Sequence, residues 1–226
     1  MADLIIFDFD GVIADSEVLA NTVLAEMLTE LGAPTTLEQS YDRYMGKRSP
    51  ELMAALEAAM GKPLPAGFLD DFQARSLARF DTDLRPVPGA LAFIDAFAHV
   101  PQCIASSSTP SRLAGSLDAL GLTDHFGANV FSATMVARGK PHPDIFLHAA
   151  EKMTVPPARC IVLEDSPSGV AAGVAAGMTV IGLTAAAHIR DGDRERLLAA
   201  GAHDVADTFE AATAMTRRFF EDLAAG

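Results

Sequence analysis

The chain reads as an α/β protein with an open parallel sheet and a helical segment inserted after its first strand. Three observations predict this. Short apolar runs recur at residues 4–9, 103–106, 129–132, 160–164 and 179–183. Most are continuous rather than alternating, as in strands covered on both faces. Helical patterns with clear start signals separate the later runs, which is the rhythm of right-handed crossovers in a parallel sheet. Between residues 16 and 85 that rhythm stops, and helical patterns occur without a strand.

The first run, LIIF, stops on Asp8-Phe9-Asp10-Gly11. Residues i and i+2 of a strand face the same side. Asp8 and Asp10 are therefore expected to leave a buried strand end aimed at one point. Two carboxylates held together repel, and burying them unpaired is costly. A hard divalent cation such as Mg²⁺, which prefers oxygen ligands, would compensate them. Gly11 lets the backbone turn sharply and a ligand approach closely. Alone, such a run also fits a polar turn or a calcium loop. However, Val12, Ile13 and Ala14 follow where an EF-hand needs further acidic ligands.

The insert shows helical patterns at 18–31, 50–60 and 67–80, split by Gly32-Ala33-Pro34, Gly46 and the prolines 63 and 65. It reads as a helical domain of residues 16–85, with a fourth stretch between Pro34 and Gly46 left without bounds, inserted into a core of 1–15 and 86–226. The connections are expected near 14–16 and 84–88. Such a unit, hinged over the carboxyl end of a sheet, can act as a lid. A helical layer fixed to the sheet is the alternative.

The return at Pro88-Gly89 precedes a helix at 90–98. Thr109-Pro110 is an N-cap followed by a first-turn proline, opening a helix that ends before Gly121. Pro143 opens a helix to about Met153, Ser166-Pro167 another to near Gly177, and a last one spans 209–223. Gly169, Gly173 and Gly177 recur at helical spacing. They read as one smooth helix face on the sheet, because the Lys-Ser/Thr of a P-loop is missing.

At 226 residues, half of them hydrophobic, the chain can bury a core and carry a smaller insert. Its mean hydropathy of +0.22 excludes a disordered chain. A net charge of −13 argues against nucleic acid or an anionic membrane as a partner. No apolar run reaches a membrane span, and no basic stretch followed by an apolar core is visible ahead of the first strand. Cys103 and Cys160 read as buried thiols, with no CxxC pair or disulfide framework. A cytoplasmic protein, monomeric or weakly homo-oligomeric, is expected.

Ligands of open α/β sheets bind outside the carboxyl ends of the strands. The first strand delivers Asp8 and Asp10 there. The second delivers Ser106, Ser107 and Ser108 into a helix start, where hydroxyls and backbone N–H groups form an anion site. Alone, this is equally a serine-rich turn capped by Thr109. After the third strand, Lys140 lies in Arg138-Gly139-Lys140-Pro141-His142-Pro143, suited to neutralise an anion as a point charge. The fourth strand delivers Glu164-Asp165-Ser166. Six scattered histidines, at 99, 125, 142, 148, 188 and 203, show no metal-ligand spacing, so no zinc site is expected. His142 lies nearest the chemistry and reads as structural.

The motifs DFDGV, ASSS, GKPHPDIF and LEDSPSGVAAGVAAGM, in that order, resemble those of the haloacid dehalogenase-like (HAD) hydrolase superfamily. Within it, the chain resembles the phosphatase and β-phosphoglucomutase branch. The resemblance covers essentially the whole chain. It implies a Rossmann-like core with a small all-helical cap and a Mg²⁺ cofactor. Asp8 would be the nucleophile that forms an aspartyl-phosphate, and Asp10 the acid and then the base. Ser106, Ser107 and Lys140 would hold the phosphoryl group. The metal would sit on Asp8, Asp165 and the main-chain carbonyl of Asp10, with Glu164 a direct ligand or one step behind. Neighbouring negative charge would keep a proton on Asp10. An acid at position 10 also separates this chain from the dehalogenases of the superfamily.

The mutases of this branch carry a cap histidine near position 20, where this chain has Leu19-Ala20-Asn21. Asp15-Ser16-Glu17 looks more like the sugar-phosphate phosphatases, with Glu17, Lys47 and Arg48 as candidate substrate contacts. The expected activity is therefore hydrolysis of a small phosphosugar or phosphosugar acid such as 6-phosphogluconate. A β-phosphoglucomutase-like mutase is the alternative. A phospho-acceptor receiver domain is disfavoured by chain length and by the insert. A protein that binds without turnover is disfavoured by the complete set of catalytic residue types.

Overall fold

The computed structural model describes residues 3–45 and 49–225. The chain divides into two compact units: Met1–Asp15 with Arg85–Gly226, and Ser16–Leu84. In chain order, β1 (Leu4–Phe7) precedes the helices of the second unit: α1 (Ser16–Glu30), α2 (Leu37–Tyr44), α3 (Ser49–Met60) and α4 (Phe68–Asp83). The first unit resumes with α5 (Ala90–Ala96), β2 (Gln102–Ser106), α6 (Pro110–Ala119), α7 (Thr123–Phe126), β3 (Val130–Ser132) and α8 (Asp144–Lys152). It ends with β4 (Cys160–Glu164), α9 (Pro167–Ala175), β5 (Thr179–Leu183), α10 (Asp193–Ala199), β6 (Asp204–Ala206) and α11 (Phe209–Ala225).

All pairings in the sheet are parallel, in the order β3-β2-β1-β4-β5-β6. The strand order reverses direction at β1, between β2 and β4, the kind of position where such sheets bind ligands. The central strands β1, β2 and β4 are buried along their whole length. Alternate residues serve opposite faces. Leu4 and Ile6 join Cys103, Ala105, Val162, Ile145 and Phe146 in one apolar cluster. On the other parity, the Phe7 ring meets Phe93 and Phe126 edge-on at 5.7 and 6.0 Å. Two covered faces explain why β1 is apolar throughout.

Several boundaries differ from the sequence reading. β1 ends at Phe7, not Phe9. Ile13 and Ala14 both donate their N–H to the Phe9 carbonyl, curling the chain into a loop, and Gly11 takes φ +80°. Gly177 does not share the helix face of its two predecessors. It follows the end of α9 with φ +73°, the conformation that closes a helix. A Cβ on Gly173 would lie 2.7 Å from Val180, so that glycine does let α9 sit close on the sheet. The unread stretch between 184 and 208 holds α10 and β6. The latter is three residues long with an exposed Asp204, too short to show a period.

The second unit has its own core of Val23, Leu24, Met27, Leu28, Tyr44, Leu52, Leu56, Leu64 and Phe68. α2, whose bounds the sequence reading did not assign, starts on a capping box. Thr36 accepts from the Gln39 N–H, and the Gln39 side chain accepts from the Thr36 N–H.

Candidate active site

The carboxyl ends of the strands converge on buried charge. β1 delivers Asp8, whose N–H still bonds the Leu163 carbonyl of β4 at 3.0 Å. The loop between β3 and α8 brings Lys140 to the same point across a cis Lys140–Pro141 peptide. Lys140 Nζ donates to Asp8 Oδ1 at 2.5 Å and to Glu164 Oε1 at 2.6 Å, with its side chain 5% exposed. The ammonium also lies 5.0 Å from the Phe146 ring centroid, a cation–π distance.

Glu164 is fully buried at the end of β4. Its Oε2 accepts from both the backbone N–H and the hydroxyl of Ser166, each at 2.9 Å. Gly169 in the first turn of α9 makes this possible, because a Cβ there would stand 1.6 Å from Glu164 Oε1. The first glycine of the repeat thus clears space for a carboxylate. Ser166 is also the helix cap, accepting from the Gly169 N–H.

Asp8, Glu164 and Asp165 each place a carboxylate oxygen within 4.8 Å of the others. Burial drives the Asp8 pKa well above its ordinary value; Lys140 opposes this, and the charges of Glu164 and Asp165 add to it. Burial likewise raises Asp165, against a hydrogen bond from His188. Burial alone would lower Lys140, but the charges of Asp8 and Glu164 overcome it and hold the ammonium charged. One ammonium bonded to two of three clustered carboxylates leaves an excess of formal negative charge in a largely buried space. That donor set, all oxygen, fits a hard divalent cation.

Asp10 engages different partners. Ser108 Oγ donates to its Oδ2 at 2.6 Å, and Arg112 Nη2 pairs with its Oδ1 at 2.7 Å. A guanidinium and a hydroxyl stand against its two oxygens. These partners of the two aspartates thus come from different segments, Lys140 for Asp8 and the start of α6 for Asp10. Ser106 is buried, and its Oγ accepts from the Ser108 N–H at 3.1 Å, which shapes the turn into α6. Ser107 is exposed in that turn. Ser132 at the end of β3 donates to the Ser108 carbonyl at 2.7 Å and braces it.

Two neighbours were missed in the sequence. Arg112 lies in the first turn of α6, where the helix dipole disfavours a cation, so an acid partner was legible in principle. His188 follows β5, the strand end left unread. Its Nε2 lies 3.2 Å from Asp165 Oδ2 and its side chain is 7% exposed. It is His188, rather than His142, that touches the charged cluster. Gly11 packs against this pair: a Cβ there would lie 1.8 Å from Asp165 Oδ2 and 2.8 Å from His188 Cε1. The glycine of the opening motif thus admits the protein's own side chains.

Of the second-unit candidates, the Glu17 carboxylate accepts from Asn21 Nδ2 at 3.3 Å in the first turns of α1. Asn21, near where the mutase histidine was sought, is buried and accepts from Ser40 Oγ at 2.9 Å. Lys47 and Arg48 lie outside the described residues.

Residues 2–177 match the family model of the haloacid dehalogenase-like hydrolases. The 6-phosphogluconate phosphatase of Escherichia coli is 29% identical over 82% of this chain and 84% of its own length. A conserved haloacid dehalogenase-like protein of unknown function from Agrobacterium tumefaciens superposes with a TM-score of 0.86. It is 36% identical, covering 96% of this chain and 99% of its own. A family hydrolase from Deinococcus radiodurans, solved with bound phosphate and sodium, gives a TM-score of 0.82 and 32% identity over 96% of each chain.

Proposed function

We propose that this chain, which belongs to the haloacid dehalogenase-like hydrolases, is a Mg²⁺-dependent phosphatase of a small phosphosugar or phosphosugar acid. The observation that carries the reading is the buried cluster in which Lys140 faces Asp8 and Glu164, with Asp165 beside them. The E. coli relative, a 6-phosphogluconate phosphatase, supports the substrate class. The phosphate bound by the Deinococcus relative supports an anion site in this fold.

Asp8, Asp165 and the main-chain carbonyl of Asp10 would hold the ion, with Glu164 a ligand or the group behind it. When bound, the ion offsets the excess carboxylate charge and draws electron density from a phosphoryl oxygen. The chain's own residues do the rest. Asp8 attacks phosphorus while the bond from phosphorus to the ester oxygen breaks, and Asp10 gives that oxygen its proton. Asp10 then takes a proton from water, whose oxygen attacks phosphorus. The bond to Asp8 breaks and inorganic phosphate leaves. Lys140 is held charged by its buried partners and supplies a fixed positive charge to the phosphoryl group. Ser106, Ser107 and the N–H groups at the start of α6 complete the anion site. Ser108 and Arg112 hold Asp10 in the ionised form that takes the proton from water, and one of the two contacts gives way when Asp10 carries the proton it donates to the ester oxygen.

The net charge of −13 favours a small-molecule substrate over nucleic acid or membrane. Among the described residues no helix is long and apolar enough to cross a membrane. The two buried free thiols suit a reducing cytoplasm. A monomer or weak homo-oligomer completes the reading.

Phosphate release from a panel of phosphosugars, with and without Mg²⁺, tests it. Mg²⁺-dependent release from one or a few compounds is expected. Conversion of a sugar 1-phosphate to its 6-phosphate isomer without release would make the protein a mutase. Inertness of the whole panel, with Mg²⁺ present, would contradict a phosphosugar phosphatase.

A further inference from the structure

The segment after β5 is tied down at both sides. Thr184 bonds the Ala206 carbonyl through its N–H at 2.9 Å and Asp207 through its hydroxyl at 2.8 Å. Three residues on, the Ala187 N–H donates to Asp15 Oδ1 at 3.3 Å, in the loop that follows the first motif. His188 comes next, and this anchoring drives its imidazole inward to Asp165, with both side chains less than a tenth exposed.

An ionised carboxylate accepts hydrogen bonds and cannot donate them, so Nε2 of His188 carries the proton it shares with Asp165 Oδ2. Mg²⁺ prefers oxygen over imidazole, so a histidine at such a site acts on a carboxylate ligand rather than on the ion. Gly11 closes the other side of Oδ2, leaving Asp165 wedged between the first loop and the imidazole.

We infer that His188 is a positioning residue for the metal site: its Nε2–H fixes the Asp165 carboxylate in the orientation in which it binds the divalent ion. The inference rests on the Mg²⁺ reading proposed above. Groups that orient metal-binding side chains in this way typically contribute 10–100-fold to affinity.

The test is calorimetric Mg²⁺ titration of the parent, His188→Gln and His188→Leu, after the melting temperature of each metal-free protein has been recorded. Glutamine keeps an N–H donor near the Nε2 position. Leucine keeps much of the bulk and loses the donor. A Kd raised about 10–100-fold in His188→Leu, with most of the loss recovered in His188→Gln, is the expected result. A residue that merely filled space would give the reverse order or equal affinities, and that outcome overturns the inference. Should the leucine variant fail to fold, His188→Ala takes its place in the same comparison. The Mg²⁺-loaded parent offers a second readout, the His188 tautomer by ¹⁵N NMR. A proton on Nε2 supports the inference and a neutral ring protonated on Nδ1 overturns it. A parent that binds no Mg²⁺ overturns the metal reading itself. A parent that binds, with variants of unchanged Kd, overturns the role of His188 alone.

Discussion

The two units hold ion pairs of similar length and very different weight. In the helical unit, Arg75 meets Glu30 at 2.8 Å, with the two side chains 43% and 58% exposed. In the α/β unit, Lys140 meets Asp8 at 2.5 Å, with side chains 5% and 11% exposed. Water screens the first pair, and holding two long side chains together offsets most of its attraction. The second has surrendered its hydration, so each charge depends on the others. Three buried carboxylates served by one lysine are a poor device for stability. Their placement at the strand ends is intelligible if catalysis, rather than folding, is what the cluster serves.

That contrast ranks the expected effects of substitution. Asp8→Asn should abolish phosphate release, since the amide cannot act as the nucleophile, while leaving the fold intact. The raised pKa of Asp8 also fixes a sign for the metal-free protein. A carboxyl group protonated more readily when folded adds stability at low pH and loses it as pH rises through its elevated value. Metal-free Asp8→Asn should therefore lose less stability than the parent between acid and neutral pH, as read by urea denaturation across that range. Equal losses would detach Asp8 from the burial argument.

Asp10→Ala is expected to lower turnover by about 10²–10⁴-fold, the usual contribution of a general acid–base group. Steady-state phosphate release with the preferred substrate checks this. Lys140→Met leaves two buried carboxylates without their cation and should destabilise the protein by about 3–5 kcal/mol, measured by denaturant titration. Gly11→Ala combines a φ of +80° with a collision against Asp165, and a loss of about 1–3 kcal/mol is expected from the strained backbone alone. At the far end, Arg75→Ala should leave stability nearly unchanged, and any effect should shrink further at high salt. A large, salt-insensitive loss there would erase the contrast between the units.

The legible parts of this protein are those where one residue type leaves little choice. Continuous apolar runs read as strands because both faces of β1, β2 and β4 are covered. Acids, hydroxyls and a lysine stood out because they interrupt such runs or follow them at once. The missed parts depend on tertiary context. β6 is three residues long, and the pattern that would announce it needs more. The capping box from Thr36 to Gln39 is a local signal, and the eight-residue α2 behind it buries only Ser40 and Tyr44, too few to show an apolar period. Arg112 and His188 gain meaning from what lies opposite them, Asp10 and Asp165, across long stretches of chain. Asp8 and Asp10 lie two residues apart, but β1 ends at Phe7, so the partners of each carboxylate cannot be read from strand geometry. The curl around Gly11 turns their carboxylates toward separate partners.

Asp8, as the proposed nucleophile, should carry the phosphoryl group during turnover. The most direct measurement is rapid acid quench during turnover of a ³²P-labelled phosphosugar, followed by peptide mapping. Label is expected on the peptide containing Asp8, released by hydroxylamine as an acyl phosphate is, and absent from Asp8→Asn. Turnover with no label on that peptide, or label persisting in Asp8→Asn, would contradict it.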